Sequence, residues 1–244
     1  MIAFMERYST KWISLAIALG SLTLIAWFLL SSRFQVHNIQ LIRDYASPPP
    51  LVDEQVIAEN AIIFAGLNVF SLNTNDVAGS LHKDPSIQNV SVETTLDGRL
   101  VIRIIHRRPV ANWITGSRSL LVDETGLVLA EGSDPRLELS IHTLNEPIAK
   151  PGSMVSTKVL EVGALLQREL PLMGIPIDKL SYSATSGLTA TTHSAVELLI
   201  GPPEKLARKL RSLQVVMDET SRRGEKLRKI DLRPLDRPTY QLAG

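Results

Sequence analysis

The sequence predicts an α+β protein built in three parts: a single N-terminal transmembrane helix, a small β-α-α-β-β module, and a mainly β domain with packed helices. Three observations predict it. One uncharged stretch runs from Trp12 to Ser32. Two helical patterns and then an Asp-Gly hairpin signal follow it. Beyond Pro109, short strand-like runs recur between turn residues, interrupted by two amphipathic segments.

The first element is set by length and composition. Trp12–Ser32 contains Ile13, Leu15, Ile17, Leu19, Leu22, Leu24, Ile25, Trp27, Phe28, Leu29 and Leu30, with Lys11 and Arg33 at its edges. A helix of that length rises about 30 Å, the hydrocarbon thickness of a bilayer. A cleavable signal peptide has an apolar core of about 7–15 residues and a small-residue cleavage site. This run is longer and ends Ala26-Trp27-Phe28-Leu29-Leu30-Ser31-Ser32, so it reads as an uncleaved anchor. It is apolar all round, unlike a helix that buries one face. Arg7 and Lys11 before it balance Arg33 and Arg43 after it, so the positive-inside rule does not orient it. The brevity of the tail predicts that residues 1–11 stay in the cytoplasm and that the bulk of the chain is extracytoplasmic. The absence of cysteine fits an exported domain.

The module is expected over 34–107. Gln35–Arg43 reads as its first strand, with Val36, Ile39 and Leu41 as the apolar positions. Ser47-Pro48-Pro49-Pro50 is a stiff break. A helix is predicted from Val52 or Asp53 to about Phe64, with Val52, Val56 and Ile63 on one side and Gly66 as its stop. Val69, Phe70 and Leu72 form a short apolar link. Asn73 then reads as an N-cap with Asp76 at N3, opening a second helix through Val77, Leu81 and Lys83 that Pro85 ends. Strands at Val90–Glu93 and Leu100–Ile105 flank Leu96-Asp97-Gly98-Arg99, a strong hairpin signal. Two helices against a three-stranded sheet are expected.

The second domain is expected over 108–235, with 236–244 as a C-terminal tail. Its predicted strands are Ala111–Ile114, Leu120–Val122, Leu127–Ala130, Leu139–Thr143, Leu180–Ala184, Leu188–Thr192, Val196–Ile200 and Leu227–Arg233. Its predicted helices are Ser156–Glu169 and Glu204–Arg222. In the second of these, Leu206, Leu210, Leu213 and Met217 form an apolar stripe, and Arg208, Arg211 and Arg222 point away. Pro202 and Pro203 suit a first helical turn.

Charge and motifs exclude several classes. The net charge of +1 gives no global field for nucleic acid. Glu204 to Arg237 nevertheless carries eleven basic residues against six acidic ones. A solvated helix face is the ordinary use of such a run; an anionic surface or acidic partner is the functional one. His37, His82, His106, His142 and His193 are scattered and form no metal-ligand spacing. There is no nucleophile elbow, phosphate loop or dinucleotide fingerprint. Asp53-Glu54 and Asp123-Glu124 are adjacent pairs suited to a helix start and a turn. No catalytic, cofactor or metal residue is assigned, and no nucleic acid or small-molecule substrate is expected.

Six short motifs carry a resemblance. They are Phe34-Gln35-Val36-His37-Asn38-Ile39, Gly66-Leu67-Asn68-Val69-Phe70-Ser71-Leu72, Pro85-Ser86-Ile87-Gln88-Asn89-Val90-Ser91-Val92, Arg108-Pro109-Val110-Ala111-Asn112-Trp113, Asp123-Glu124-Thr125-Gly126 and Ile230-Asp231-Leu232-Arg233. In this order, behind one span, the chain resembles the FtsQ/DivIB family of bacterial cell-division proteins. It departs from the family where His106 replaces a Glu before the junction proline, and where Pro234 replaces an aromatic after the closing strand. The resemblance implies that the module is a POTRA domain, that the following domain is the FtsQ-type β domain, and that the protein is a non-enzymatic scaffold at the division septum. It implies FtsB/DivIC-like and FtsL-like partners, and contact with the septal synthase. Two readings from other classes are a POTRA-bearing protein-translocation component and a membrane-tethered cell-wall hydrolase. The missing barrel strands and the missing motifs count against them.

The expected docking site follows from strand chemistry. Leu227–Arg233 is predicted at a sheet edge, where a partner strand adds to free N–H and C=O groups. Ile230 and Leu232 should look inward, and Asp231 and Arg233 outward beside the basic helix. Lys205, Arg208 and Lys209 should hold acidic partner residues. The plainer reading of Asp231 and Arg233 is an ion pair on a structural strand. For the POTRA module, a second partner surface and a simple spacer are both expected roles.

Overall fold

The computed structural model describes residues 2–43, 54–145, 147, 149–235 and 237–243. The predicted proline break and the start of the first module helix lie outside them. The chain divides into two compact units, Met1–His106 and Arg107–Gly244.

The first unit begins with α1 (Ile2–Leu30). Its Trp12–Leu30 segment is long and apolar enough to cross a membrane, and none of that segment is buried. Then come β1 (Asn38–Arg43), α2 (Glu54–Ile62), α3 (Thr74–Leu81), β2 (Ile87–Thr94) and β3 (Arg99–His106). The sheet order is β1-β3-β2, with β1 parallel and β2 antiparallel to the central strand. Strand β3 alternates as predicted: Leu100, Ile102 and Ile104 are buried, against Ile57 and Ala61 of α2 and Val77 and Leu81 of α3. Asn73 caps α3 by accepting the Asn75 N–H at 3.1 Å.

Strand β1 starts three residues later than predicted, because residues 35–37 are drawn elsewhere. Val36 donates to the Leu67 carbonyl at 2.9 Å and accepts from Gly66 N–H at 2.8 Å. His37 donates to Gly98 at 3.0 Å. Gly98 has φ of +77°, and a Cβ there would strike the Gln35 carbonyl and the His37 ring. The hairpin turn therefore closes tightly on the chain leaving α1, which only glycine allows. Helix α2 stops at Ile62, short of Phe64, where Phe64 and Ala65 donate to Ala61 and Ile62 three residues back.

The end of α1 is tied into this unit. Asn68 Nδ2 donates to the carbonyls of Phe28 and Leu29, at 2.9 and 2.8 Å. Its Oδ1 accepts the Phe70 N–H at 2.9 Å. The rings of Trp27, Phe28, Phe34 and Phe70 pack around it, with centroid separations of 5.1 to 6.1 Å.

The second unit is one mixed nine-stranded sheet. Its strands are β4 (Pro109–Thr115), β5 (Arg118–Asp123), β6 (Val128–Glu131), β7 (Leu139–Thr143), β8 (Ile177–Ser183), β9 (Gly187–Thr192), β10 (Glu197–Gly201), β11 (Leu227–Asp231) and β12 (Thr239–Leu242). Their order is β12-β11-β10-β9-β8-β7-β4-β5-β6. Its two helices are α4 (Thr157–Leu172) and α5 (Leu206–Arg223). Each is a crossover between parallel neighbours, α4 from β7 to β8 and α5 from β10 to β11. Parallel strands cannot be joined by a tight turn, so these two helices are what the pairing requires. Val159, Leu166 and Leu170 of α4 and Leu213 and Val216 of α5 enter one core with Trp113, Leu120, Ile141 and Leu198. Helix α5 begins at Leu206, so Pro202 and Pro203 precede it instead of forming its first turn. Thr239–Leu242, expected within a tail, is a strand of the sheet.

Leu166 is fully buried and Leu172, on the same helix, is 77% exposed. Leu166→Ala is expected to cost about 2–5 kcal/mol through lost burial and a residual cavity. Leu172→Ala should stay within about 0.5 kcal/mol of the parent. Urea unfolding followed by intrinsic fluorescence, to which the buried Trp113 contributes, checks both.

Candidate functional site

The candidate site is the C-terminal margin of the large sheet. Strand β11 is not at that margin, contrary to expectation. It pairs in parallel with β10 through Glu197↔Lys229, Leu198↔Ile230 and Leu199↔Asp231. On its other side it pairs antiparallel with β12 through Lys229↔Gln241, Ile230↔Tyr240 and Asp231↔Thr239. Both ladders of β11 are used, so no partner strand adds there.

The margin passes instead to β12. Among the described residues, its outer side pairs with no strand. The opposite margin, β6, is covered by its own chain at its first residue: Val128 donates to Ser153 at 2.9 Å, and Gly152 donates to Val128 at 2.8 Å. The two ends of the sheet are thus unlike: among the described residues, a segment of the chain lies along the start of β6, and no strand lies along β12. Tyr240 packs against the core and Leu242 is 46% exposed. The only sequence signal for β12 is a four-residue run, Thr-Tyr-Gln-Leu, after Pro238. Four residues carry too little alternation to separate a strand from a tail.

The predicted site residues fare differently. Ile230 and Leu232 are buried in the core, as their inward face requires. Leu232 lies just beyond the strand and donates to Leu199 at 2.8 Å. Asp231 and Arg233 are bound to each other. Arg233 Nε donates to Asp231 Oδ1 at 2.9 Å and to Oδ2 at 3.1 Å, Nη2 donates to Oδ2 at 2.5 Å, and the Arg233 N–H donates to Oδ1 at 3.0 Å. This is the ion pair on a structural strand, in chelated form. Hydrogen bonding from Arg233 holds the Asp231 carboxyl below its ordinary range, and the same contact raises Arg233. With Leu199, Lys229, Thr239, Tyr240 and Gln241, the pair lines a shallow groove of about 270 Å³ beside β12.

Lys205, at the entry to α5, and Arg208, on it, are exposed. Lys209 is not available for docking. It is 4% exposed, and its ammonium donates to the Pro202 carbonyl at 2.6 Å. Burial pulls its pKa down, while the Glu204 charge pulls the other way. The chain enters α5 at Lys205 with φ of +57°, and the Lys209 contact ties that entry to the first turn. Sequence reasoning placed Lys209 outward because a lysine reads as solvated; the burial of a lysine stem is invisible without the fold.

The Asp123 motif is a turn. Its Oδ1 accepts Thr125 N–H, Thr125 Oγ1 and Leu127 N–H at 2.6 to 2.9 Å, and its Oδ2 accepts from Arg107 at 3.0 Å. Among the described residues, no group of His, Cys, Asp and Glu gathers to hold a metal.

Comparison with known proteins adds the lineage. The family model "Cell division protein FtsQ/DivIB, C-terminal" matches residues 111–233. The chain is 24% identical over 237 residues to the cell division protein FtsQ of Chloroflexus aggregans, covering 96% of this chain and 83% of that protein. It is 25% identical over 117 residues to FtsQ of Rickettsia bellii, covering 48% of this chain and 43% of that protein. It is 29% identical over 79 residues to the cell division protein DivIB of Clostridium acetobutylicum, covering 32% of each.

The Asp231–Arg233 pair gives a pH-dependent prediction. A carboxylate with a depressed folded pKa stabilises above its unfolded value, about 4, and loses that contribution as the pH falls through the folded value. Asp231→Asn should therefore lower stability at pH 7 and cost progressively less on acidification. Urea midpoints of parent and variant across pH 2–7 should converge at the acid end.

Proposed function

The chain belongs to the FtsQ/DivIB family of cell-division proteins, and we propose that it is a membrane-anchored divisome scaffold whose β12 margin receives a strand from an FtsB/DivIC-like partner. Family membership makes it a non-enzymatic protein of cell division. The finer reading has residues 1–11 in the cytoplasm, 12–32 as the span, 34–107 as the POTRA domain and 108–235 as the FtsQ-type domain, extended by β12. The bulk of the chain is then extracytoplasmic at the septum, with FtsL-like proteins and the septal synthase as further partners.

The observation that carries the docking reading is the margin at β12, whose outer side pairs with no strand among the described residues, while the opposite margin is met at Val128 by its own chain. An added strand gains main-chain hydrogen bonds at β12, while the groove beside it selects side chains. Exposed Lys205 and Arg208 of α5 offer positive charge to acidic partner residues. Lys209 and the buried Ile230 and Leu232 build this surface from behind; they do not touch the partner.

In an antiparallel strand, neighbouring residues send their N–H groups to opposite sides. One of Tyr240 and Gln241 therefore donates toward β11 and the other outward. Tyr240→Pro and Gln241→Pro sample both directions. The outward one is expected to lose co-purification of the FtsB-like partner from membranes with little change in melting temperature. Arg208→Glu is expected to lower partner recovery at low salt and to matter less at high salt. Full recovery with both proline variants would remove strand addition at β12.

A further inference from the structure

From Asn60 to Asn75 the chain carries no Asp, Glu, Lys or Arg. The middle of that stretch, the Gly66–Leu72 link, is where the first unit meets the end of α1. Asn68 is 8% exposed and donates to the carbonyls of Phe28 and Leu29. A helix leaves its last four carbonyls without internal partners. Where water is scarce, an unmet carbonyl is expensive, and a side-chain amide that meets two of them removes that cost. The Asn68 amide is itself fixed through Phe70 N–H.

The rings around Asn68 pack on one another but do not close the surface. Trp27 is 55% exposed, Phe70 49%, Leu67 44% and Leu30 81%. Ile62 and Ile63, in the same uncharged stretch, are also exposed. Phe70 stands edge-on to Phe28, so this patch continues the bare surface of α1. Aromatic rings at the end of an apolar helix, next to Arg33, match the composition of a membrane–water interface.

We propose that the Leu67–Phe70 link is a membrane-inserting element: Leu67 and Phe70 enter the interfacial layer of the bilayer beside the last turn of α1, and the first unit is seated on the lipid surface. Continuity with α1, the uncharged stretch and the amide cap on two helix carbonyls select lipid as the occupant. The inference rests on α1 being a span. A helix from a partner protein lying on the same rings is the competing occupant.

The chain has no cysteine, so single cysteine reporters need no background substitution. The full chain is reconstituted alone in phosphatidylcholine vesicles carrying lipids brominated either near the headgroup or deep in the acyl chain. Environment-sensitive fluorophores are placed by Leu19→Cys within α1, by Leu67→Cys, and by Gln88→Cys in β2 at the end away from the hairpin turn. The Leu19 label should lose emission to the deep quencher, the Leu67 label to the shallow one, and the Gln88 label to neither. A Phe70→Cys reporter repeats the measurement if Leu67→Cys does not fold. A Leu67 label as insensitive as the Gln88 label, with Leu19 still quenched, overturns this inference and leaves the span intact. An unquenched Leu19 label overturns the span as well. Shielding of Leu67 that appears only when other membrane proteins are co-reconstituted assigns the patch to a partner helix and overturns the inference.

Discussion

The parallel pairing of β10 with β11 is the constraint on which the C-terminal half of this protein depends. Two parallel neighbours need a connection long enough to return along the sheet, and α5 supplies it. Once α5 is placed, its apolar side must face the sheet, so Leu213 and Val216 enter the core and the arginines face water. Strand β11 then lies inside the sheet, between β10 and β12. Strand β12 lies antiparallel along the outer ladder of β11. The margin of the sheet is therefore set by the β12 pairing and not by the basic strand β11.

That explains what was legible and what was not. Long periodic signals read through well. The apolar run of α1, the alternation in Leu100-Val101-Ile102-Arg103-Ile104 and the Asp97-Gly98 turn each specify an element with no help from the fold. Eight strands of the second unit were visible as short runs between turns, with ends off by a few residues because hydrogen bonding, not composition, sets where a ladder stops. The first strand shows the reason most clearly: residues 35–37 look extended and are, but they pair with the Gly66–Asn68 link and the Gly98 turn. Strand β12 was missed because its four residues have no periodicity to read, and missing it moved the predicted margin by one strand.

The candidate site was partly legible for a related reason. Inward and outward faces follow from the two-residue period, so Ile230 and Leu232 were placed correctly. What a polar side chain does once it faces a given way depends on neighbours distant in sequence. Lys209 lies among the cations of α5 and still turns its ammonium to the Pro202 carbonyl. Asp231 and Arg233, two residues apart on one face, satisfy each other. A basic stretch thus contributes fewer available charges than its composition implies. Lys205 and Arg208 remain exposed at the surface.

The joint between α1 and the unit that follows has a mechanical meaning. A flexible linker would let a helix spin and lean in its surroundings while the folded part drifted independently. Here one asparagine grips the last turn through two carbonyls, and four rings fill the corner. The connection is built as a bracket and not as a rope: the helix end and the unit that follows share hydrogen bonds and ring contacts.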